Sequence, residues 1–392
     1  MNKMSFAEWA PPPRRRVAAV SFSGDRSEFG RLVTRGGFLE IVTLGFYRFW
    51  LATDMRRHLW SNTTVDGDAP EYTGTGRELL IGFLIALAII VPIYLAYFLL
   101  TVEVERLKVF GGIPLLAFFY VFGQFAIYRA RRYRLTRTVW RGVRFWMDGS
   151  GWAYALRASL WMILVVITLG LAWPWREAAL ERYKMQHSYY GDLQGGFKGT
   201  GWEFVERGWI LWLLTLFLFA VAVVFRPMVF LIVLVSPALY ASFRAVEWRW
   251  WISGLRFGDI SFASGIRLSG LISLYYKALG WFALIDVVVV SAVFLCFAAM
   301  ANLSGVSLPE LSRSFLLQNR MLVVALCVPL YLSLLLLVNI VIRLYFMRDL
   351  WMRIAASATV YGIEAANSVR ADGELASAIG EGLADGLGVA SF

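Results

Sequence analysis

The sequence predicts an all-α polytopic membrane protein with six spans arranged as three helical hairpins, and three observations support this prediction. Apolar residues make up 59% of the 392 residues and charged residues 17%, whereas soluble domains contain about 45–50% and about 25%. The mean hydropathy is +0.62, so a single soluble globule would have a largely apolar surface. Six windows also approach or reach the length of about 20 apolar residues that a bilayer requires.

The six apolar windows fall into three pairs along the chain. Consecutive helices joined by short links lie side by side and antiparallel, so each pair is predicted to form a helical hairpin. The windows cover residues 79–101, 109–128, 208–225, 227–243, 278–300 and 321–345.

Basic residues are concentrated outside the links of these hairpins, and this asymmetry predicts the orientation of the spans. Residues 129–144 contain seven Arg, whereas the link of the first hairpin contains only Arg106 and Lys108. Connectors rich in Lys and Arg stay on the cytoplasmic side. The sequence therefore predicts that both termini and all the basic segments are cytoplasmic.

The basic stretch after the second window mixes Arg with Tyr and Trp, a composition that also occurs in nucleic-acid-binding proteins. Beside a membrane span, anionic lipid headgroups are the nearer partner, at about 1 kcal/mol per basic residue. We therefore expect lipid contact and no nucleic-acid partner. The residues predicted to contact headgroups are Arg129, Arg131, Arg132, Arg134 and Arg137.

Two further apolar windows, residues 38–52 and 158–175, are short or interrupted. If either crossed the bilayer fully, an arginine-rich segment would face outward, against the charge rule. We therefore expect both windows to lie in the interface or to enter and return from the cytoplasmic side. Their Trp residues, Trp50, Trp173 and Trp175, suit the headgroup boundary.

These two windows belong to an internal repeat with a period of 125 residues. The alignment runs without a gap from Thr43 to Glu78 and predicts a duplicated unit, an interfacial segment followed by a polar connector and a membrane hairpin. The matched residues are Thr43, Gly45, Trp50, Arg57, Gly74 and Gly76 in the first copy and Thr168, Gly170, Trp175, Arg182, Gly199 and Gly201 in the second.

The repeat divides the chain into five predicted segments. They are an N-terminal arm (1–19), repeat 1 (20–128), repeat 2 (129–243), a truncated repeat 3 (244–345) and a C-terminal stub with an acidic, Gly-rich tail (346–392). In that tail Leu375, Ile379, Leu383 and Leu387 recur every four residues, the spacing of a helical stripe. The sequence leaves open whether this tail docks on the arginine-rich face or is frayed.

The first copy of the repeated unit carries Thr-Leu-Gly followed by Tyr and Trp, a basic pair, Asn-Thr, an Asp-Gly turn and a closing Gly-Thr-Gly. With this motif it resembles the YjgN-like family of bacterial inner-membrane proteins, a domain of unknown function. The resemblance covers residues 20–370 and implies an inner-membrane location without an established activity. The second copy departs from the pattern, since Pro174 interrupts it and Tyr189–Asp192 replace the Asp-Gly turn. The matching residues are Thr43–Gly45, Tyr47, Trp50, Arg56-Arg57, Asn62-Thr63, Asp66-Gly67 and Gly74–Gly76.

Asp286 is the strongest candidate for a polar site inside the membrane, because it lies within the window 278–300. A charge at such depth costs at least about 2.5–3.5 kcal/mol. Asp286 would serve as a proton or cation relay, pair with Arg343 or Lys277, or stay neutral and bond Asn339. The sequence does not choose among these roles.

The other sequence motifs give little indication of catalysis or of ligand binding. The two Gly-Thr-Gly segments lack a Walker Lys, so a tight turn before a helix is favoured over a phosphate site. His58 and His187 do not match between the copies, and the two Cys form no metal-site spacing with them. We expect no metal, no cofactor and no enzymatic activity.

Two classes of function stay open. The first is a transporter or channel for a small solute or lipid, favoured by the repeat and by Asp286. The second is a scaffold or accessory subunit that contacts lipids, a second copy or a partner membrane protein. A polar cavity that reaches Asp286 would favour the first class, and a protein-filled centre the second.

Overall fold

A computed structural model describes residues 16–103, 112–305, 320–373 and 375 of the chain. Most of the N-terminal arm, parts of the first and third hairpin links, and the tail positions Ile379, Leu383 and Leu387 lie outside the described residues. The described part is mostly helical, and it includes six helices long and apolar enough to cross a membrane.

Ten of the eleven α-helices in the described residues follow each other in five pairs, and α11 stands apart from them. Two pairs are short, α1 with α2 and α5 with α6, and three pairs contain the candidate spans. The helices are α1 (Arg26–Val42), α2 (Arg48–Ser61), α3 (Gly76–Glu103), α4 (Gly112–Thr136), α5 (Gly151–Ile167), α6 (Trp173–Gln186), α7 (Gly201–Val224), α8 (Met228–Gly254), α9 (Leu268–Ser304), α10 (Arg320–Ile340) and α11 (Arg348–Ser357). A π-helical segment, Val341–Met347, joins α10 to α11.

The six candidate spans coincide with the six windows expected from the sequence. They are Gly76–Leu99, Gly112–Thr136, Gly201–Val224, Met228–Gly254, Leu268–Cys296 and Val328–Ser357. At 1.5 Å per residue, a span of 24 residues is about 36 Å long, whereas α1 and α5, with 17 residues each, are about 25 Å. The short pairs therefore do not reach as far as the spans.

The expectation of an all-α protein is wrong in one respect, because ten short antiparallel strands form a sheet. They are β1 (Val17–Phe22), β2 (Thr63–Val65), β3 (Glu71–Tyr72), β4 (Thr138–Trp140), β5 (Val143–Met147), β6 (Ser188–Tyr190), β7 (Leu193–Phe197), β8 (Leu255–Phe257), β9 (Ile260–Ser264) and β10 (Ala358–Tyr361). Strands this short carry too little alternation to be recognised beside long apolar windows.

The sheet is strongly curled. Its order is β2-β1-β10-β9-β8-β7-β6-β5-β4-β3, so the two edge strands are β2 and β3. In a flat sheet of ten strands these edges would lie about 43 Å apart, whereas the chain between Val65 and Glu71 reaches at most about 20 Å. The edges therefore come together, and a bridge between Val65 and Asp68 adjoins the turn that joins them.

Every helix pair starts after one strand of this curled sheet and ends before another. The pair α1 and α2 connects β1 to β2, and the pair α7 and α8 connects β7 to β8, for example. Strands β1 and β10, near the two ends of the described chain, pair with each other, with Ala18 opposite Val360. Both outer ends of each helix pair consequently lie at the sheet.

One face of the curled sheet holds an apolar core. Trp140, Tyr190, Ile260 and Val360 are buried there, each from a different strand. A 3₁₀ helix, Ile363–Ser368, follows β10 and adds Ile363 to the same core. The five helix pairs are therefore all connected to one sheet with an apolar face.

Candidate functional site

The two Thr-Leu-Gly segments form the same turn at the tips of the short helix pairs. The Thr43 hydroxyl donates to the Leu39 carbonyl at 2.7 Å, and Thr168 donates to Leu164 at 2.8 Å. Gly45 and Gly170 have φ values of +91° and +93°, a region that favours glycine. The residue before each glycine is an exposed leucine, 86% exposed for Leu44 and 93% for Leu169.

The Gly-Thr-Gly segments serve as helix starts and packing sites. A Cβ on Gly76 would lie 2.7 Å from the backbone of Trp50, and one on Gly201 would lie 2.8 Å from the Trp175 ring. Thr200 caps α7, since its hydroxyl accepts from the Glu203 amide at 3.2 Å. These contacts explain the glycines and tryptophans by packing, with no role for a ligand.

Of the remaining repeat residues, the glycines pack alike in the two copies and the arginines do not. Arg57 donates to the carbonyl oxygen of Gly74 at 2.8 Å, and a Cβ on Gly74 would touch Tyr72. A Cβ on Gly199 would touch Phe197 in the second copy, whereas Arg182 is exposed on α6. Arg57 therefore links α2 to the connector that precedes α3.

The structure does not bring the three intramembrane candidates together. Asp286 is exposed on α9, and Asn339 donates to the Leu335 carbonyl of its own helix at 2.9 Å. Arg343, in the π-helical segment, pairs with Glu40 of α1 at 2.7 Å. The partner of Arg343 is thus Glu40, a residue of the first short window.

The arginines assigned to lipid headgroups are half-buried or buried. Arg131 pairs with Glu181 at 3.2 Å, and Arg137 pairs with Glu78 at 2.8 Å. Both guanidinium groups therefore already have a carboxylate partner. None of the five is exposed; the five are Arg129, Arg131, Arg132, Arg134 and Arg137.

A cavity of about 280 Å³ lies between α4, α6 and α8, and we call it the charged cavity. Four basic and three acidic side chains line it together with tryptophans. All of them lie within a few turns of the strands that follow their helices, so the cavity adjoins the curled sheet. The lining residues are Ile127, Arg131, Arg134, Glu177, Glu181, Lys184, Arg244, Glu247, Trp248, Trp250 and Trp251.

Ion pairs hold the charges of this cavity in place. Glu181 forms ion pairs with Arg131 of α4 and with Lys184 of its own helix, and Arg244 pairs with Glu247 on α8. Burial alone would raise the pKa of Glu181, but Lys184 and Arg131 outweigh it and lower the pKa to about 2. Burial raises the pKa of Glu177, opposed by Arg176 and Lys184. The pKa values of Glu177 and Glu181, which lie one helical turn apart, are therefore shifted in opposite directions.

Tryptophans form one wall of the charged cavity. The Trp248 and Trp251 rings meet edge to face at 5.5 Å, and the Arg244 guanidinium lies 5.4 Å from the Trp248 ring centroid. The indole N–H of Trp248 is buried without a hydrogen-bond partner among the described residues. A ligand with both an apolar body and a charged group matches such a wall.

Sequence reasoning missed the acidic half of this cavity. Glu177, Glu181 and Lys184 recur at helical spacing on α6, directly after an apolar window. The repeat offered a further signal, because the equivalent positions in the first copy are Ala52, Arg56 and Leu59. A charge present only in the second copy at two positions, and of opposite sign at the third, was the available sign of a site.

The described residues contain no group of three His, Cys, Asp or Glu side chains that could hold a metal ion. His187 contacts Asp148 at 2.7 Å through Nδ1. His58 is buried, and burial lowers its pKa although the nearby Glu28 opposes the shift. The two histidines lie in different copies and share no site.

Comparison with known proteins gives one match. The family model described as "Bacterial protein of unknown function (DUF898)" matches residues 17–246, from β1 into α8. No curated protein and no solved structure matches the chain. The matched range contains both short helix pairs and most of the charged cavity.

Proposed function

The chain belongs to this bacterial family of unknown function, with which the YjgN-like family is identical, and from this premise we propose that it is a solute-binding transport protein of the inner membrane. The charged cavity is its binding site, and its role is transport and not catalysis. The observation that carries the proposal is the meeting of buried ion pairs and tryptophans in one cavity where two spans and α6 converge.

The chemistry of the cavity defines the solute. Its lining has four cationic and three acidic side chains, so one positive charge is in excess. The Trp248 N–H offers a further donor. A small molecule with an anionic group and an apolar or cationic remainder suits these walls.

The two short helix pairs support a duplicated transporter plan. Both are shorter than a span, both end in an exposed leucine at the same turn, and both return to the curled sheet. We propose that they are re-entrant hairpins that enter the bilayer from the cytoplasmic side. Re-entrant segments in repeats are a common way to build transport paths.

A binding experiment tests the proposal. Protein in lipid nanodiscs is titrated with glutamate, succinate, glycerol 3-phosphate and phosphocholine, and heat of binding is measured. We expect at least one anion or zwitterion to bind the native protein, and Arg134→Gln and Arg244→Gln to weaken that binding by tenfold or more, that is, by about 1.4 kcal/mol. Arg182→Gln, on the exposed side of α6, is the matched control.

Flux measurements in proteoliposomes then separate transport from binding alone. Uptake of the bound solute that Arg244→Gln abolishes supports transport. If no panel member binds, or if binding is equal in both cavity variants and the control, the charged cavity is not the binding site. The variants are compared only where their elution from a sizing column matches the native protein.

A second role is favoured by the surface of the spans. In the six candidate spans, 0–17% of the apolar window is buried within the chain. Such helices present most of their surface to lipid or to other proteins. We propose that this surface is covered by anionic lipids together with either further copies of the chain or a partner membrane protein. Crosslinking in native membranes distinguishes a second copy from a different protein as the neighbour.

A further inference from the structure

A second cavity, of about 220 Å³ and partly open to its surroundings, lies against the curled sheet, and we call it the sheet cavity. Its walls come from several strands and from the 3₁₀ helix after β10. Trp140, Phe145, Tyr190 and Phe257 contribute aromatic rings, and Val360 and Ile363 contribute aliphatic groups. This cavity is separate from the charged cavity and shares no lining residue with it.

The polar groups in its wall are bonded away from the cavity. The Tyr190 hydroxyl donates to the Trp140 carbonyl at 3.0 Å, and the Trp140 N–H donates to the Asp68 carbonyl at 3.2 Å. The Thr138 hydroxyl donates to the Arg134 carbonyl at 2.9 Å. With these groups satisfied, the cavity offers a ligand only apolar surface, which excludes charged and strongly polar molecules.

The size and shape of the walls favour a flat ring over a long chain. The Phe145 ring lies 4.7 Å from Tyr190 and 6.0 Å from Phe257, edge-on to the latter. These are the offset and edge arrangements that aromatic groups prefer. An apolar cavity of about 150 Å³ in another protein stays dry and holds benzene, so this larger one accommodates one or two rings.

A set of polar contacts lies across the seam of the sheet, beside the cavity. Arg141 binds Asp66 at 2.9 Å and Asn367 at 3.1 Å. It thereby ties the turn between the edge strands to the 3₁₀ helix, whose first residue, Ile363, lines the cavity. Arg16 binds Asp66 from β1's side at 2.9 Å. These contacts fix the position of the turn and the 3₁₀ helix beside the cavity.

We propose that the sheet cavity is a binding site for a small uncharged aromatic molecule of one or two rings. The ligand lies among Trp140, Phe145 and Tyr190. The site does not depend on the charged cavity or on transport.

A photolabelling experiment tests this site. The full chain in lipid nanodiscs is irradiated with 3-trifluoromethyl-3-phenyldiazirine, a neutral aromatic probe, and labelled peptides are identified by mass spectrometry. We expect labelling of the peptides that carry Trp140 and Tyr190, and loss of that labelling with excess naphthalene. Labelling of the lipid-facing spans, which the probe reaches from the bilayer, is the internal reference.

Matched substitutions show whether the cavity itself binds the probe. Val360→Phe and Val65→Phe place a ring in the cavity, and each should reduce labelling of the sheet peptides roughly tenfold. Val17→Phe makes the same change at an exposed position of β1 and should leave labelling unchanged. Two cavity variants are used so that a folding defect in one leaves the other to decide.

Three results would overturn the proposal. The first is no labelling of the sheet peptides in the native protein. The second is equal labelling in the native protein and in a folded cavity variant. The third is labelling that decane displaces and naphthalene does not, which would assign the cavity to an alkyl chain.

Discussion

At the scale of single residues, two charged positions distinguish α6 from α2. Ala52 and Leu59 of α2 correspond to Glu177 and Lys184 of α6. Such charges cost free energy unless they are paired, and here Glu177 pairs with Arg176 while Lys184 pairs with Glu181. These charges give the second short helix pair a part in the charged cavity that the first short pair lacks.

His58 gives a prediction about pH at the same scale. It is buried against Phe29, and burial lowers its pKa below the usual 6.5 although Glu28 opposes the shift. As the pH falls below about 6.5, the unfolded chain takes up this proton before the folded one, so stability falls. We expect the unfolding temperature to drop between about pH 7.5 and about pH 5, and to drop less in His58→Gln.

The measurement is thermal unfolding of both proteins in nanodiscs across that pH range. His58→Gln must first unfold cooperatively at the upper pH, which establishes that the variant is folded. Parallel curves for the two proteins would show that His58 does not contribute to the pH dependence.

Residue partners were the hardest feature to predict from the sequence. Asp286 was singled out by its depth in an apolar window, but hydropathy does not indicate which side of a helix faces protein. Arg343 was placed near it, whereas its partner is Glu40, about 300 positions away in the chain. Pairing across such a distance depends on how the helix pairs pack, and no local pattern records that.

At the scale of elements, the backbone conformation of the Thr-Leu-Gly turn predicts the cost of replacing its glycine. Gly170 has a φ of +93°, and a Cβ added there would meet nothing within 4 Å. Gly170→Ala therefore isolates backbone strain, and we expect a loss of about 1–2 kcal/mol in the free energy of unfolding. Gly45→Ala, at the equivalent turn, should lose a similar amount.

Gly123 offers the matched control for this change. It lies inside α4, and an added Cβ there also meets nothing within 4 Å. Gly123→Ala should leave stability unchanged or raise it by up to about 1 kcal/mol, because alanine favours helix. Denaturation in mixed micelles measures all three variants. Equal changes in the free energy of unfolding for Gly170→Ala and Gly123→Ala would show that a side chain at position 170 does not strain the turn.

The elements themselves were predictable to different degrees. Long apolar windows identified all six candidate spans, because a run of about 20 apolar residues has few other uses. The strands were missed because several have only two or three residues and get their stability from neighbours far along the chain. Of the turns between strands, only Asp66-Gly67 was recognised from the sequence; this turn and Arg141-Gly142 both have positive φ at each residue.

For the whole molecule, the curled sheet determines how often the chain crosses the membrane. Each helix pair leaves the sheet and returns to it, so the number of crossings between successive strand pairs is even. The two short pairs satisfy this condition only if they cross twice or not at all. Their helices of 14–17 residues are too short for two full crossings.

This arrangement predicts the side of the membrane on which single cysteines react. In a background with Cys296→Ser and Cys327→Ser, an impermeant maleimide should label cysteines at the sheet from one side only, which we propose is cytoplasmic. A cysteine at Arg226, in the link between α7 and α8, should react from the opposite side. Leu169→Cys should react from neither, because the tip of α5 would lie within the bilayer.

The sheet-side positions are Ser27, Glu71, Asp192 and Asp259, all exposed. Ser27 and Glu71 flank the first short pair, so labelling of these two from opposite sides would show that this pair traverses the membrane and that the sheet cannot form as described.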